Sequence, residues 1–259
     1  MRKSILIILL AMALVVGMFL LEQVLPLGSN AYAFFNRNKG FTDSFMMETC
    51  DGFSSTGENP FLILNPGYQL TLDGIDKEQN IHLTITVLSG PSGTRTFDNL
   101  DIGGGLVTDV VTRIVEEIET INGVLAERSR NYFAICNRTN SVFYFGEDVD
   151  IYDETGTTII SHEGSWLAGV NGARAGIVMP GVILLGGKYY QEIAPEVAMD
   201  RAEIKSMTEV VQVPAGTFTN CLETYETSAI DRKAKGYKFY APGVGLVKDG
   251  VLELTSHSP

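Results

Sequence analysis

Val107-Thr108-Asp109-Val110-Val111-Thr112-Arg113-Ile114-Val115-Glu116-Glu117-Ile118-Glu119-Thr120-Ile121, followed at once by Asn122-Gly123 and Val124-Leu125-Ala126-Glu127-Arg128, is the stretch on which the fold turns. Apolar residues at 107, 110, 111, 114, 115, 118 and 121 would fit the stripe of an amphipathic helix. Ten of the fifteen residues from 107 to 121 are β-branched, however. Branching at Cβ restricts χ1 in a helix and suits a pleated surface. Asn-Gly between two such runs is a strong short-range hairpin signal, because both turn positions need positive φ. The stretch is therefore expected to form a long β-hairpin.

The same pattern extends to both sides. Tyr68-Gln69-Leu70-Thr71-Leu72-Asp73 and Ile81-His82-Leu83-Thr84-Ile85-Thr86-Val87 alternate apolar and polar residues, with a loop from Gly74 to Asn80 between them. Val142-Phe143-Tyr144-Phe145, Val149-Asp150-Ile151-Tyr152, 203–213, 217–227, 237–240, 244–248 and 251–255 read as further strands separated by turn residues. Sequential strands with tight turns and few helical windows predict a mainly β fold: a curved antiparallel sheet, half-barrel or barrel. One short helix is expected at Ala194–Ala202, where Pro195 stands near the start. The Gly-rich 161–190 segment is expected to be a long irregular connection, within one β-rich domain (67–259) or between two lobes of it. Residues 34–66 show no sustained period and are expected to form a loosely ordered N-terminal arm.

Residues 1–33 have a different character. Arg2 and Lys3 precede an apolar run of 17 residues, Ile5 to Leu21, and Ala31-Tyr32-Ala33 ends the segment with small residues. A basic start, an apolar middle and an A-x-A exit form a secretory signal, with cleavage expected after Ala33. The alternative is an uncleaved anchor, for which the run is short of the roughly 20 apolar residues a spanning helix needs. Removing 33 of 259 residues leaves 226, and the loss of two basic and one acidic side chain moves the net charge from −12 to −13. The mature protein is expected to be secreted or periplasmic, touching a membrane only through an uncleaved signal segment. Its acidity opposes binding to nucleic acid. Hydrophobic residues make up 45% of the chain, enough for a packed core and too many for an acidic disordered tail.

Most common chemistries fail their spacing tests. Cys50, Cys136 and Cys221 contain no C-x-x-C. In an oxidising compartment one pair can close, with Cys221 the expected free thiol because it falls inside a strand. The sequence does not choose among the three pairings. His162 begins His-Glu-Gly-Ser-Trp, and Trp166 stands where a metalloprotease helix would need its second His. No phosphate loop, dinucleotide loop or G-x-S-x-G elbow is present.

Two stretches remain as candidate sites. Glu147, Asp148, Asp150 and Asp153 belong to the densest acidic cluster, 147–154, whose oxygens could bind Ca²⁺ or serve as a catalytic carboxylate pair. Asp148 and Asp150 alternate with Val149 and Ile151, which favours a solvent face over a buried apolar one. No other cofactor is expected. Trp166, Tyr189, Tyr190 and Glu192 form the aromatic and polar set best suited to ligand contact at the open face of a sheet, against the plainer reading of core and rim packing under a long loop.

The run from Gly146 onward resembles a group of uncharacterised secreted bacterial proteins. The matching stretches are Gly146-Glu147-Asp148-Val149-Asp150-Ile151-Tyr152, Met179-Pro180-Gly181, Tyr189-Tyr190-Gln191-Glu192-Ile193-Ala194-Pro195, Pro214-Ala215-Gly216-Thr217-Phe218, Glu226-Thr227 and Tyr240-Ala241-Pro242-Gly243-Val244-Gly245-Leu246-Val247. The resemblance implies a compartment and a β-rich fold, and no substrate. The closing strands also look like those of periplasmic β half-barrels that carry lipoprotein lipids. The expected function is an exported, non-enzymatic binding module for a small apolar ligand or a protein segment. The alternatives are a carbohydrate- or phosphate-directed hydrolase or Ca²⁺-binding protein using the 147–154 cluster, and a structural envelope component.

Overall fold

The computed structural model describes residues 40–258, and among them there are strands, turns and two 3₁₀ turns but no α-helix. The expected signal segment and its cleavage site lie outside the described residues. Three dipeptide strands come first: β1 (Phe53–Ser54), β2 (Glu58–Asn59) and β3 (Leu62–Ile63). A hairpin of β4 (Gln69–Asp76) and β5 (Gln79–Val87) leads to β6 (Thr94–Asp101) and to the long strands β7 (Val107–Ile121), β8 (Val124–Cys136) and β9 (Val142–Tyr152). Short strands follow, β10 (Ile159–Ser161), β11 (Trp166–Leu167), β12 (Arg174–Met179), β13 (Lys188–Tyr190) and β14 (Glu192–Ile193). The last five are β15 (Asp200–Val213), β16 (Gly216–Ser228), β17 (Lys235–Ala241), β18 (Gly245–Asp249) and β19 (Leu252–His257).

The β7–β8 hairpin forms as its sequence demands. Asn122 and Gly123 both have positive φ, 52° and 80°, and Ile121 pairs directly with Val124 across the two-residue turn. Antiparallel ladders then run from β15 through β16, β17, β18, β19, β4, β5, β7, β8 and β9 to β12. The sheet curls into a nearly closed, barrel-like wall with one unsealed seam. Closure is weakest at Lys188–Ile193, where β13 joins β15 over three residue pairs and β14 joins β12 over two. Cross-strand partners share a face, so Leu70 with Ile85, Leu72 with Leu83, and Leu254 with Leu72 line the inside of the wall.

The N-terminal segment differs from its expected looseness. Phe41 and Thr42 join β13, where Thr42 pairs with Tyr189, and from Phe45 to Ser54 the segment packs against the outer face of β8 and β9. Phe53 pairs with Cys136 in register, and its ring meets Phe143 and Phe145 edge-on at 5.8 and 5.4 Å. Cys50 and Cys136 form a disulfide that staples the segment to β8, while Cys221 is buried and free. Asn59 is fully buried and donates to the carbonyls of Asn140 and Pro180 while accepting from the Phe61 amide. Its scattered aromatics gave no period because their partners lie on another part of the chain.

The Gly-rich 161–190 segment does not link two lobes. Its strands β11 and β12 pair with β9 and belong to the same wall. Glycine serves close approach here: a Cβ on Gly181 would lie 1.8 Å from the Thr139 carbonyl oxygen. Ala194–Ala202 is not a helix either. The Val197 and Ala198 amides donate to Ala194 O, Glu196 takes a φ of 68°, and Asp200 already starts β15. The connection from β14 to β15 is too short for a helix and must reverse the chain.

Candidate functional site: a carboxylate-lined lumen

One mouth of the barrel holds an apolar cavity of about 80 Å³. Leu70, Ile85, Val87, Val115 and Phe133 line it, Tyr68 and Tyr240 contribute rings, and Glu117 is its one acidic wall residue. Tyr68 is fixed by donating its hydroxyl to Val244 O at 2.7 Å. Glu117 and Val115 share the inner face of β7, opposite Ile85 and Val87 of β5.

Below the cavity the inner face turns polar. Glu117 pairs in register with Ser129, Glu119 with Glu127, Asn131 with Glu147, and Lys238 with Asp249. Lys238 is almost fully buried, and its Nζ lies 3.2 Å from Glu226 Oε2 and 3.3 Å from Asp249 Oδ2. Glu226 Oε1 accepts from Thr224 Oγ1, Tyr240 Oη and Gln191 Nε2 at 3.2, 3.3 and 3.3 Å. Glu192 Oε1 accepts the Asp200 amide at 2.6 Å, and Asn131 Oδ1 accepts the Tyr144 hydroxyl at 2.5 Å.

Burial governs the titration of this belt. It raises Glu117 to about 7, and Glu119 to about 8 with Glu127 and Glu117 adding to the effect. Glu127 rises to about 7 for the same reasons, burial first and then Glu117. Glu147 and Glu192 are pushed well above the usual carboxylate range by burial, reinforced by Glu127 and Asp200 respectively. Asp200 rises to about 7 and Asp249 to about 6, the latter held back by Lys238. Burial alone would lower Lys238, but Asp249, Glu226 and Glu117 outweigh it and raise the ammonium above its ordinary value.

Several buried polar atoms of the belt have no hydrogen-bond partner among the described residues. They include Glu119 Oε2, Glu147 Oε1, Gln191 Oε1, Glu192 Oε2 and the Tyr189 hydroxyl. The upward shifts of Glu119, Glu147 and Glu192 keep a proton on each, so each of these carboxyls has one O–H to donate as well as oxygens that accept.

The residues singled out in the sequence go to different places. Tyr189 and Glu192 join the belt: Glu226 adds to the upward shift of both, after burial. Trp166 stands opposite Glu147 in register and packs edge-on against Tyr144 at 5.1 Å. Tyr190 is fully buried on the other face, ring to ring with Phe41 and near the Arg201 guanidinium. Of the four, Trp166 lines a half-open pocket of about 200 Å³ with Leu167, Val170 and Pro195, whereas Tyr189, Tyr190 and Glu192 are buried in the wall.

The 147–154 acids do not converge. Glu147 faces the lumen. Asp148 and Asp150 share the opposite face as expected, but cations and a phenol meet them there rather than solvent alone. Asp148 accepts from Tyr132 and Arg95, and Asp150 is paired with Arg130 and, at 3.0 Å, with His162. Asp153 is half-buried and caps a turn, held down to about 2 by the Thr155 hydroxyl and then the Thr157 amide. No three His, Cys, Asp or Glu side chains gather around a point that could hold a metal ion among the described residues.

Glu117, Glu119, Glu127, Asp200, Glu226, Lys238 and Asp249 were not singled out by sequence. Each sits at an ordinary strand position. The available signal was parity: Glu117 and Glu119 fall in step with Val115 and Ile121. No protein-family model, curated protein or solved structure matches the chain.

Proposed function

We propose that the protein is an exported, non-enzymatic binding module that receives an apolar group in the mouth of its barrel. The observation that carries this reading is the cavity itself, apolar on all sides but one. Its size limits the guest. About 80 Å³ is roughly half of the ~150 Å³ apolar cavity that takes up benzene. That admits a short alkyl group of a small ligand, or one side chain of a partner segment, and not a whole lipid. Export is supported by the Cys50–Cys136 disulfide, which suits an oxidising compartment. The test is a titration with n-butanol followed by NMR. Saturable shifts at Ile85, Val115 and Phe133 are expected, and Val115→Phe, which fills the cavity, should abolish them. Non-saturable shifts spread over the surface, unchanged by Val115→Phe, would remove the reading.

A further inference from the structure

The wall of the barrel is weakest where buried acids crowd it. We propose that the 188–193 seam is a gate in the wall, shut while Glu192 and Asp200 keep their protons and released as the two carboxyls ionise. The gate opens sideways onto the acidic belt and does not depend on what the apolar mouth binds.

Backbone geometry makes the seam separable. β14 is held to β12 by two register pairs, Arg174 with Ile193 and Ala175 with Glu192, and β13 to β15 by three. On its other edge β13 has one bridge among the described residues, Thr42 to Tyr189. At Gly176 the two sides touch backbone to backbone: a Cβ there would lie 2.5 Å from the carbonyl oxygens of both Tyr190 and Gln191. The seam thus shuts by close approach as much as by pairing, and glycine permits that approach. Shutting it also strands polar atoms. The Tyr189 hydroxyl, Gln191 Oε1 and Glu192 Oε2 are buried without partners, and water entering an open seam would satisfy them. Sparse pairing places this part of the wall at the low end of local stability.

Charge decides when it opens. Glu192 Oε1 accepts the Asp200 amide at 2.6 Å, which holds Glu192 beside Asp200. Glu147 of β9 and Glu226 of β16 also face Glu192, and Tyr144 of β9 adds a phenol. Asp200 is faced by Glu226 and the Ser228 hydroxyl of β16, with Lys238 of β17 and Arg201 of its own strand as the cations in reach. Both cations are engaged elsewhere. Lys238 bridges Glu226 and Asp249, and Arg201 donates to Ser228 O at 3.2 Å beside the Phe41 ring. The one charged residue of β12 is Arg174, which is exposed. On the outer side Asp43 lies near Tyr190, and Lys188 pairs with Glu203. Burial, and then Asp200, pushes Glu192 well above the usual carboxylate range, and burial raises Asp200 to about 7. In an open seam both carboxyls are hydrated and titrate near their ordinary values. The shut state therefore binds more protons, and opening is favoured as pH rises.

The test is hydrogen exchange of the full chain, followed by NMR and corrected for the intrinsic rate, at about pH 6 and about pH 8.5. The reporters are the amides of Tyr190, Gln191 and Ala194, which donate to Thr42 O, Asp200 O and Ala198 O. Their protection should fall about tenfold or more across that range, the factor that Asp200 alone gives when it titrates about 7 in the shut state and at its ordinary value in the open one. The amides of Leu88 and Cys136, bonded to Ile114 O and Ser141 O elsewhere in the wall, should lose much less. Glu192→Gln together with Asp200→Asn should keep the seam as protected at the higher pH as at the lower. Gly176→Ala is the second variant should that one not fold. Its methyl should part the seam and lower the three reporters at the lower pH already, with Leu88 and Cys136 unmoved. Seam and reference amides falling in step, a pH response kept by the neutral variant, or full seam protection in Gly176→Ala would each overturn the proposal.

Discussion

Strands β8 and β9 serve two cores that are built on opposite principles. On their outer face Phe143, Phe145 and Tyr132 meet Phe45, Phe53 and Phe97 with rings 5.4–6.0 Å apart, under a segment stapled by Cys50–Cys136. On their inner face Tyr144, Glu147 and Glu127 look into a belt of acids around one buried lysine. The outer core is stabilised by area and shape, which change little with pH. The inner belt depends on which carboxyls hold protons and on the position of one ammonium. One face of the sheet thus carries stability, and the other carries a charge arrangement that burial alone would disfavour.

Three experiments press on that contrast. The largest effect is expected from Lys238→Ala, which leaves Glu226 and Asp249 buried without their cation. Urea denaturation at pH 8 should show a loss of roughly 3–5 kcal/mol. The loss should shrink at pH 5, because Asp249 titrates near 6. Removing the outer staple with Cys50→Ala and Cys136→Ala together should cost about 2–4 kcal/mol. That loss should be the same at pH 5 and pH 8, and a strong pH dependence would break the contrast. The smallest effect is expected from Glu119→Gln. Folded Glu119 keeps its proton to about 8, whereas an unfolded glutamate releases it near 4.5. The folded state therefore binds more protons in this window, and stability falls as pH rises through it. Glutamine cannot ionise, so the variant should lose this slope and gain stability over the parent at pH 8 relative to pH 5. Parallel pH slopes for variant and parent would show that Glu119 is not in the belt's titration.

The hairpin at Asn122-Gly123 was legible because its demand is local: two residues must take positive φ, and their neighbours must suit a pleat. The alternating strands, the curled antiparallel sheet and the buried Cys221 were legible for similar reasons. The belt was not. Period two tells which residues share a face, but not which face is inside. In β7 the set Arg113, Val115, Glu117 and Glu119 carries three charges, so it reads as the wet side. Only the closing of the sheet, with β5 on one edge and β8 on the other, turns it inward. The N-terminal segment hid its packing likewise, since Phe53 finds Phe143 some ninety residues away. Tyr189 and Glu192 were singled out, but for an open face they do not line.

The ladder between β4 and β19 has a consequence for time. The Thr255 hydroxyl reaches Asp73 across 182 residues, and Leu254 finds Leu72 in register beside it. Leu70 and Leu72 are made early and then wait for the last strand before their edge is paired. Until that strand arrives the wall stands open, its unpaired amides and carbonyls offered to any other extended chain. Such long-range closure places folding in the slow, millisecond-to-second class. It makes the pairing of β19 with β4, whose Leu70 lines the cavity and stands opposite His257, the step at which the wall shuts.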